Sequence, residues 1–461
     1  MGLFGILGGV AKGTAAATSW TGNMIYTALQ NAGTKKEIRT LYKHASDANF
    51  QNRSVAIMPG ISKQQLLLIS ENPDDNDVYD YKAPKNIDAA LEYIWGDSDT
   101  PSSVIVSGGQ KKDRVNAMMP FVHKAQNDGL AVFALHNGND DLENMIQNHS
   151  VACESISRRG CYYDVFRGLP TDDIAFLLYE SMPENMATPA AESLLRALIE
   201  VLLLTEGKIT IQNLAAFPLN SLKSKIDTMY NTGVLAQAEY DDINHYCMAG
   251  SSETDAVRIF LSRLNRQTEA IYGKPTNLFS NTKRMINQRG AITIDVGGSN
   301  NELLMSLLLN HLLLLQSQGR QFGIVFDEIP IAKFEKISDL LRSHPCAISH
   351  QDFFSSLFGG KEKGDDLFSE ITGSVETTVL FRHSSGTSCQ KWSDYMGKYK
   401  KIRIRYNIAQ NNAYMNTSNS RGISVDETDE PRIRAETLLK LTDGMACIYD
   451  TSGILIAKIQ G

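Results

Sequence analysis

The stretch Gln321–Gln351, QFGIVFDEIPIAKFEKISDLLRSHPCAISHQ, decides the fold of this chain. It opens with the apolar run Phe322–Phe326, which ends on Asp327 and Glu328. A short run of β-branched and aromatic residues predicts a strand that is buried on both faces of a parallel sheet. Ligands of open α/β sheets bind at the carboxyl ends of the strands, so the two acids are predicted to lie at a ligand site.

A second apolar strand is predicted at Cys346–Ser349, and it carries Gln351 towards the same edge of the sheet. An Asp at this edge can hold Mg²⁺ through water, and a neighbouring Glu can activate a water against a phosphate. This is the layout of a Walker B strand and a sensor strand in a nucleotide-driven motor. Under the alternative, Asp327 and Glu328 only begin a polar loop, because an apolar run followed by two acids also arises by chance.

Length and composition predict a soluble protein of two to four domains, since 461 residues with 42% hydrophobic and 21% charged residues are ordinary for a globular chain. The net charge of −7 gives no overall basic surface for nucleic acid, although a local basic pore needs only a few Lys or Arg. The six cysteines show no zinc-type spacing, which favours free thiols in a reducing cytoplasm.

A glycine-containing loop, SGGQKKDR at 107–114, follows a predicted strand at Ser103–Val106 and precedes a predicted helix at Val115–Gln126. A phosphate-binding loop would sit here, but the spacing G-x-x-x-x-G-K-[ST] is absent. Either the loop binds nucleotide unconventionally or the pocket is inactive, because Asp113 would bring negative charge towards the phosphates. We favour an inactive or much weakened pocket. The candidate nucleotide-binding residues are Gly108, Gly109, Lys111, Lys112 and Arg114.

Strands alternate with helices elsewhere in the chain, which implies right-handed crossovers and a parallel sheet. Residues 172–275 interrupt this pattern with helical periodicity alone. The sequence from 410 to 430 is rich in Asn, Ser and acids, and it predicts a mobile surface loop. The predicted domains are 1–50 (an N-terminal helical segment), 51–171 and 276–461 (two parts of a nucleotide-binding-like domain), and 172–275 (an all-α domain).

Residues 1–34 carry a single charge, Lys12, and five of their apolar residues fall on one helical face: Leu3, Phe4, Ile6, Leu7 and Val10. No run reaches the length of a membrane-spanning helix. The segment predicts either an interfacial helix at a membrane surface or a contact with a neighbouring subunit or partner, and we favour the protein contact.

The order of these elements resembles the TraG/TraD coupling proteins of type IV secretion and conjugation. Their sheet is interrupted by helices between the first phosphate loop and the Walker B strand. The segments that carry the resemblance are Cys161–Pro170 (a predicted strand at Cys161–Phe166 that ends in a turn), the Walker B-like IVFDEIP at Ile324–Pro330, the arginine segment Leu340–Ser343, HQDFFSSLFG at His350–Gly359, and the closing hairpin Glu436–Lys458.

The resemblance covers about residues 103 to 458 and implies an α/β fold: a RecA-like, mostly parallel sheet flanked by helices, with an inserted all-α domain. It implies a homo-oligomer, such as a hexameric ring, that uses ATP and Mg²⁺ and moves single-stranded DNA or protein towards secretion or conjugation machinery. In such a motor the roles would fall on Lys112 (phosphate contact), Asp327 (Mg²⁺ through water), Glu328 (the attacking water), Gln351 (sensing the γ-phosphate) and Arg342 (a finger into a neighbour's site or an ion-pair partner).

Two departures from the family stand out, the broken phosphate loop and the lack of two clear N-terminal transmembrane helices. They leave two hypotheses: a coupling ATPase with full or residual activity, or a pseudo-ATPase that recruits or scaffolds. A third, weaker one is a DNA-binding regulator built on the helix-turn-helix-like rhythm of residues 208–234, although this segment has no basic recognition face. The expected location is the cytoplasm, with residues 1–34 contacting the inner face of the membrane under one alternative.

Overall fold

The computed structural model describes residues 35–53, 55–57, 102–150, 152–156, 162–163, 165–272, 279–280, 286, 288–297, 301–329, 334–358, 360, 364–413, 416–450 and 453–459. The expectations for residues 1–34 lie outside this part of the chain.

Fourteen strands are assigned in the described residues. They are β1 Val55–Ile57, β2 Val104–Ser107, β3 Ala131–His136, β4 Cys153–Ile156, β5 Tyr162–Tyr163, β6 Phe279–Ser280, β7 Ala291–Asp295, β8 Phe322–Asp327, β9 Cys346–His350, β10 Thr377–Leu380, β11 Lys398–Ala413, β12 Asn416–Pro431, β13 Met445–Asp450 and β14 Gly453–Lys458.

The α-helices of the same residues are α1 Lys35–Arg53, α2 Lys111–Asn127, α3 Asp140–His149, α4 Thr171–Ser181, α5 Pro189–Glu206, α6 Ile211–Ala216, α7 Leu222–Asn231, α8 Gln237–Ala249, α9 Thr254–Tyr272, α10 Glu302–Ser317, α11 Phe334–Ser343, α12 Phe353–Leu357, α13 Gly364–Gly373, α14 Gly386–Met396 and α15 Ala435–Lys440.

The chain divides into two compact units. Unit 1 takes its described residues from Met1–Pro120, Ser349–Phe368 and Val375–Gly461, and unit 2 takes its own from Phe121–Ile348 and Ser369–Ser374. Each unit contains parallel strand pairs, and helices flank the strands. This confirms the predicted α/β class.

In unit 2 the strand order is β8-β3-β7-β4, and every pairing is parallel. All six residues of β8 and all six of β3 are buried, as expected for strands covered on both faces. The register places His136 opposite both Asp327 and Asp295, so the last residues of three adjacent strands lie side by side.

In unit 1 the strand order is β1-β14-β13-β10-β2. Strand β10 is parallel to β2 and antiparallel to β13, and β13 and β14 form the predicted C-terminal hairpin. The parallel pairing of β10 with β2 ends at Leu380 opposite Ser107, so the chain that leaves β10 starts beside the glycine loop.

The range 171–272 contains helices that are joined by turns and short loops, and no strand. Thr188 caps α5 by accepting the N–H of Ala191, with Pro189 in the first turn. The segment belongs to unit 2, where Gln267 Oε1 on α9 accepts the N–H groups of Leu303 at 2.9 Å and Leu304 at 3.1 Å. A side chain of the helical segment thus satisfies the N-terminus of α10. The exact domain boundaries stay a prediction.

The prediction of a loop at residues 410–430 is wrong, because most of these residues form β12. Strand β12 pairs antiparallel with β11 over sixteen residue pairs, from Lys398↔Pro431 to Ala413↔Asn416. The prediction rested on polarity alone. A polar segment still forms a strand when a partner satisfies its backbone groups, and β11 supplies that partner with its alternating Ile402 and Ile404. The strand predicted at Cys161–Phe166 is described only at Tyr162–Tyr163 (β5), and a turn at 165–168 includes its last two residues.

Candidate functional site: the glycine loop and the acid-tipped strand

The glycine loop in unit 1 is short, because β2 ends at Ser107 and α2 begins at Lys111. Gly108 and Gly109 have φ angles of 85° and 67°, which only glycine adopts without strain. The N–H of Gly108 donates to the carbonyl of His350 at 3.2 Å, and the N–H of Gly109 donates to that of Arg382 at 2.8 Å. The two backbone donors that a phosphate would need are therefore bound to carbonyl groups.

The third loop donor is occupied by a carboxylate. The N–H of Gln110 donates to Asp113 Oδ2 at 3.3 Å, so Asp113 lies over the first turn of α2. The N-terminus of a helix attracts anions through its free N–H groups and its dipole. Here the protein's own acid fills that position and places a negative charge where a phosphate would bind.

Arg114 points into the loop and is only 3% exposed. Its Nη1 donates to the carbonyl of Gly109 at 3.1 Å and lies 3.3 Å from that of Gly108. The guanidinium therefore stabilises the loop from inside. The other two candidate cations, Lys111 and Lys112, lie in the first turn of α2, where Lys112 is exposed and Lys111 half-buried.

A buried Ser–His pair lies beneath the loop. His383 Nε2 is 2.8 Å from Ser107 Oγ, and its Nδ1 is 2.8 Å from the carbonyl of Phe381. Because a carbonyl only accepts, Nδ1–H donates to Phe381 and the Nε2 of the neutral ring accepts from the serine hydroxyl, whose oxygen also accepts the N–H of Phe353 at 3.1 Å. Burial lowers the pKa of His383 against the raising effect of Asp352, which keeps the neutral tautomer that this network needs.

The loop is closely packed on the segment that follows β10. A Cβ added at Gly108 would lie 2.8 Å from the ring of His383, and one added at Gly109 would lie 2.6 Å from Phe381 Cβ. No sequence signal linked Ser107 to His383, since 276 residues separate them. The space inside the loop is thus filled by the protein's own side chains.

Replacing Gly109 with Ala is expected to lower the free energy of unfolding by about 3 kcal/mol. The positive φ costs an L-residue about 1–2 kcal/mol, and the overlap with Phe381 costs about 1–3 kcal/mol. Urea unfolding of the variant measures the loss. The control is Gly138→Ala, because Gly138 has φ 59° and nothing within 4 Å of its added Cβ. Equal losses for both variants would contradict the close packing.

Strand β8, which ends on Asp327 and is followed by Glu328, lies in unit 2 and is called the acid-tipped strand. Asp327 is completely buried at the end of β8, and its Oδ2 accepts a hydrogen bond from Asn139 Nδ2 at 2.6 Å. Its Oδ1 is also buried and has no hydrogen-bond partner. Asn139 is in turn fixed as the cap of α3, where its Oδ1 accepts the N–H of Leu142 at 3.2 Å.

A buried polar network continues behind Asn139. Its N–H donates to His136 Nδ1 at 3.0 Å, and His136 Nε2 is 3.8 Å from Glu143 Oε2. Glu143 accepts a hydrogen bond from Ser155 on β4. The sequence analysis missed these residues, although HNGND directly after the buried run of β3 places polar residues at the carboxyl end of a strand.

Glu328 follows Asp327 with φ 54°, a conformation that is rare for residues other than glycine. Arg342, at the end of α11, is exposed and lies 3.0 Å from Glu370 and 3.4 Å from Asp339 in ion pairs of unit 2. Exposed pairs of this kind stabilise a protein by about 1 kcal/mol or less. Gln351 follows β9 in unit 1 and is exposed. The predicted site residues are therefore divided between the two units.

These residues do not fit Mg²⁺-ATP held in the conventional way. The N–H groups of Gly108, Gly109 and Gln110 donate to two carbonyl groups and to Asp113, and the partnerless oxygen of Asp327 is enclosed. Within the described ranges, no group of three or more His, Cys, Asp or Glu side chains is arranged to hold a metal ion.

Comparison with solved structures identifies the fold. The chain aligns with the bacterial conjugative coupling protein TrwBΔN70, unbound monoclinic form, at 12% identity and a TM-score of 0.51, covering 78% of this chain and 85% of that chain. The values are the same for the plasmid coupling protein TrwB in complex with ADP and Mg²⁺. VirB4 of Thermoanaerobacter pseudethanolicus aligns at 11% identity and a TM-score of 0.47, covering 80% of this chain and 92% of that chain.

The two TrwB alignments show that the chain has the RecA-like fold of a conjugative coupling protein, as the sequence predicted. No protein-family model and no curated protein sequence matches the chain. Among the described helices, none is both long enough and apolar enough to cross a membrane.

Proposed function

We propose that this protein is a coupling-type component of a conjugation or type IV secretion system that recruits DNA or protein substrate without turning over ATP. The fold that the chain shares with TrwB supports its assignment to such a secretion or conjugation system. Support for the loss of ATP turnover comes from one observation: each N–H of the 108–110 loop donates within the protein, the last of them to the Asp113 carboxylate. A phosphate would have to break all three hydrogen bonds.

The occupied loop also differs in chemistry from a phosphate-binding loop. Phosphate loops bind through free backbone donors and a lysine, and the hydroxyl of a Ser or Thr ligates Mg²⁺. In this chain a buried arginine binds the loop carbonyls, and a carboxylate takes the place of the hydroxyl. TrwB is described in complex with ADP and Mg²⁺, and the proposal is that this chain kept the same fold and lost that ligand.

Calorimetric titration with Mg²⁺-ATP at millimolar concentration tests the proposal, and no saturable heat is expected. The melting temperature should also stay constant, because a ligand that binds only the folded state must raise it. Lys112→Ala is the matched variant, since it removes the exposed cation of α2 without touching the loop. Saturable heat in the wild type that Lys112→Ala abolishes would overturn the proposal.

A residual ATPase is the second candidate, and two observations favour it. Asp327 has a buried oxygen without a partner, and Glu328 holds a strained backbone conformation directly after it. Buried polar atoms without partners and strained residues concentrate at working sites. Phosphate release from ATP that Asp327→Asn abolishes would select this candidate.

The proposal includes further points on assembly and location. We expect a homo-oligomer, such as a hexameric ring, in the cytoplasm, with residues 1–34 contacting a neighbouring subunit, a partner or the membrane surface. The mass of the purified protein in solution tests the first point, and flotation with lipid vesicles tests the last.

A further inference from the structure

The helical segment of unit 2, residues 171–272, is acidic, and its cations are unevenly distributed. It contains fourteen Asp or Glu and seven Lys or Arg, so its net charge of −7 equals that of the whole chain. Three of the seven cations, Arg258, Arg263 and Arg266, lie on α9. This helix therefore presents positive charge on a segment that is otherwise negative.

The exposed face of α9 is named the basic stripe. Its opposite face is buried around Phe260. Arg258 pairs with Asp255 of the same helix at 2.7 Å, whereas Arg263 and Arg266 form no ion pair with any residue that the structure describes. The stripe consists of exposed residues that recur every three or four positions, which places them on one side of a helix: Asp255, Arg258, Ile259, Ser262, Arg263 and Arg266.

The exposed face of α8 is named the acidic stripe. The opposite face of this helix is buried at Ile243 and Cys247. Asp241 accepts hydrogen bonds from the Gln237 amide at 2.9 and 3.1 Å, and within the described ranges neither Asp241 nor Asp242 pairs with a cation. The stripe again follows helical spacing: Ala238, Asp241, Asp242, His245, Met248 and Ala249.

Each stripe also contains a large apolar side chain that is open to solvent. Met248 is 56% exposed in the acidic stripe, and Ile259 is 41% exposed in the basic stripe. An apolar residue with charges beside it is the composition of a contact between proteins, where an apolar centre is surrounded by a polar rim and Met is enriched. The two stripes are thus alike in build and opposite in charge.

A second copy of the chain is the partner that complements both stripes. The two helices are consecutive, but no ion pair joins their stripes in the described structure, so one copy does not neutralise its own charges. A nucleic acid would be attracted to the basic stripe, but it would be repelled by the fourteen acids of the segment and would leave the acidic stripe without a partner.

We propose that the acidic stripe of one copy docks on the basic stripe of another copy of this chain. Opposite potentials would meet across the contact, with Met248 and Ile259 contributing its apolar part. The contact joins two different surfaces, so it is heterologous and closes a ring when its rotation allows. This inference rests on the homo-oligomer of the proposed function and names the surfaces that form it.

A charge exchange between two variants of the full-length protein tests the contact. The first variant is Arg263→Glu/Arg266→Glu, and the second is Asp241→Lys/Asp242→Lys. Sedimentation velocity over a range of concentrations measures self-association. Each variant alone places like charges opposite each other, so its dissociation constant should rise about tenfold or more. An equimolar mixture should associate again, because every contact between the two variants joins opposite charges.

The matched control is Lys208→Glu/Lys225→Glu, which makes the same change of charge at exposed positions of the segment outside both stripes. Its dissociation constant should stay within about threefold of wild type, because exposed charges distant from a contact are screened. Wild-type association should also weaken between about 0.05 and 0.5 M salt for the same reason. Circular dichroism checks that the variants fold, which is expected of substitutions at exposed positions.

The outcomes separate this inference from the proposed function. Association that each folded variant loses and their mixture regains, with the control unchanged, supports the docking of the stripes. A wild-type monomer at every concentration, association that does not depend on salt, or a mixture that stays dissociated would overturn it.

Two further results would also overturn it. One is a control that weakens as much as the stripe variants. The other is unchanged self-association in Arg263→Glu/Arg266→Glu together with lost binding of a labelled DNA strand, which would assign the basic stripe to nucleic acid. None of these results affects the calorimetric test of ATP binding, and an oligomer without the exchange effect would keep the homo-oligomer while excluding these surfaces.

Discussion

Replacing Glu430 with Gln is expected to lower the free energy of unfolding by about 3 kcal/mol at neutral pH. The carboxylate is 8% exposed on β12 and receives hydrogen bonds from Arg403 and from Arg434, the latter at 3.0 Å. Lys401 Nζ lies 3.8 Å from the same group. Removing one partner of a buried ion pair leaves the opposite charge uncompensated, which costs about 3–5 kcal/mol. We expect a loss at the lower end of this range, because the side-chain amide of Gln retains part of the hydrogen bonding.

The pH dependence of this contribution has a definite sign. Burial raises the pKa of Glu430, but the hydrogen bonds from Arg403 and Arg434 outweigh it, so the pKa is lowered from 4.5. A carboxyl group with a lowered folded-state pKa stabilises the protein above its unfolded value and loses that contribution as the pH falls through the folded value. The difference between wild type and Glu430→Gln should therefore shrink in acid.

Urea unfolding of both proteins across the acid range measures the effect. The control is Glu427→Gln, because Glu427 is exposed and lies 4.0 Å from Lys400, a pair that stabilises the protein by about 0.5 kcal/mol or less. A loss below about 1 kcal/mol for Glu430→Gln, or one that is the same at every pH, would contradict the charge network.

Two buried histidines are expected to make the protein about 5 kcal/mol less stable at a pH of about 4.5 than at neutral pH. Burial lowers the pKa of His311 to about 3 and that of His344 to about 4, against 6.5 for an exposed histidine. Between the folded and unfolded values the unfolded chain binds more protons, so stability falls as the pH decreases. A pH of about 4.5 lies about two units below the pKa of a histidine in the unfolded chain. Each unit corresponds to about 1.36 kcal/mol, so each histidine contributes about 2.5 kcal/mol.

A variant that keeps the packing separates this effect from the titration of acids. His344 stacks on Phe322 with ring centroids 4.0 Å apart, so His344→Phe retains an aromatic ring and removes the proton site. We expect this variant to lose about half of the pH dependence, measured by urea unfolding at each pH. His245→Gln is the control, since His245 is exposed on α8. An unchanged pH dependence in His344→Phe would show that the burial of His344 does not govern it.

The buried strands could be predicted from sequence because their signals are local. Buried runs such as Phe322–Phe326 and Cys346–Ser349 are recognised by their apolar residues alone, and β8 and β9 each extend only one residue further than predicted. The missing phosphate-loop spacing was also a local signal. It predicted that the loop binds nucleotide weakly or not at all. It did not show which groups accept hydrogen bonds from the loop N–H groups.

The contacts that organise the two candidate clusters are not local. Asn139 reaches Asp327 across 188 residues, and His383 reaches Ser107 across 276. Neither pair has a spacing that marks it in one sequence, because each depends on which strands become neighbours in the sheet. The β11–β12 hairpin was missed for a related reason, since residues 416–424 become a strand only through β11.

The bond between Gln267 and the first turn of α10 limits how this protein can be shortened. A chain in which residues 171–272 are replaced by a short linker keeps every strand of the sheet but loses the oxygen that receives two backbone donors of α10. Truncation studies that treat the helical segment as a detachable module would therefore expose a frayed helix directly before the acid-tipped strand. Supplying a new acceptor, such as Ser or Asp at the start of α10, is the repair that such a design requires.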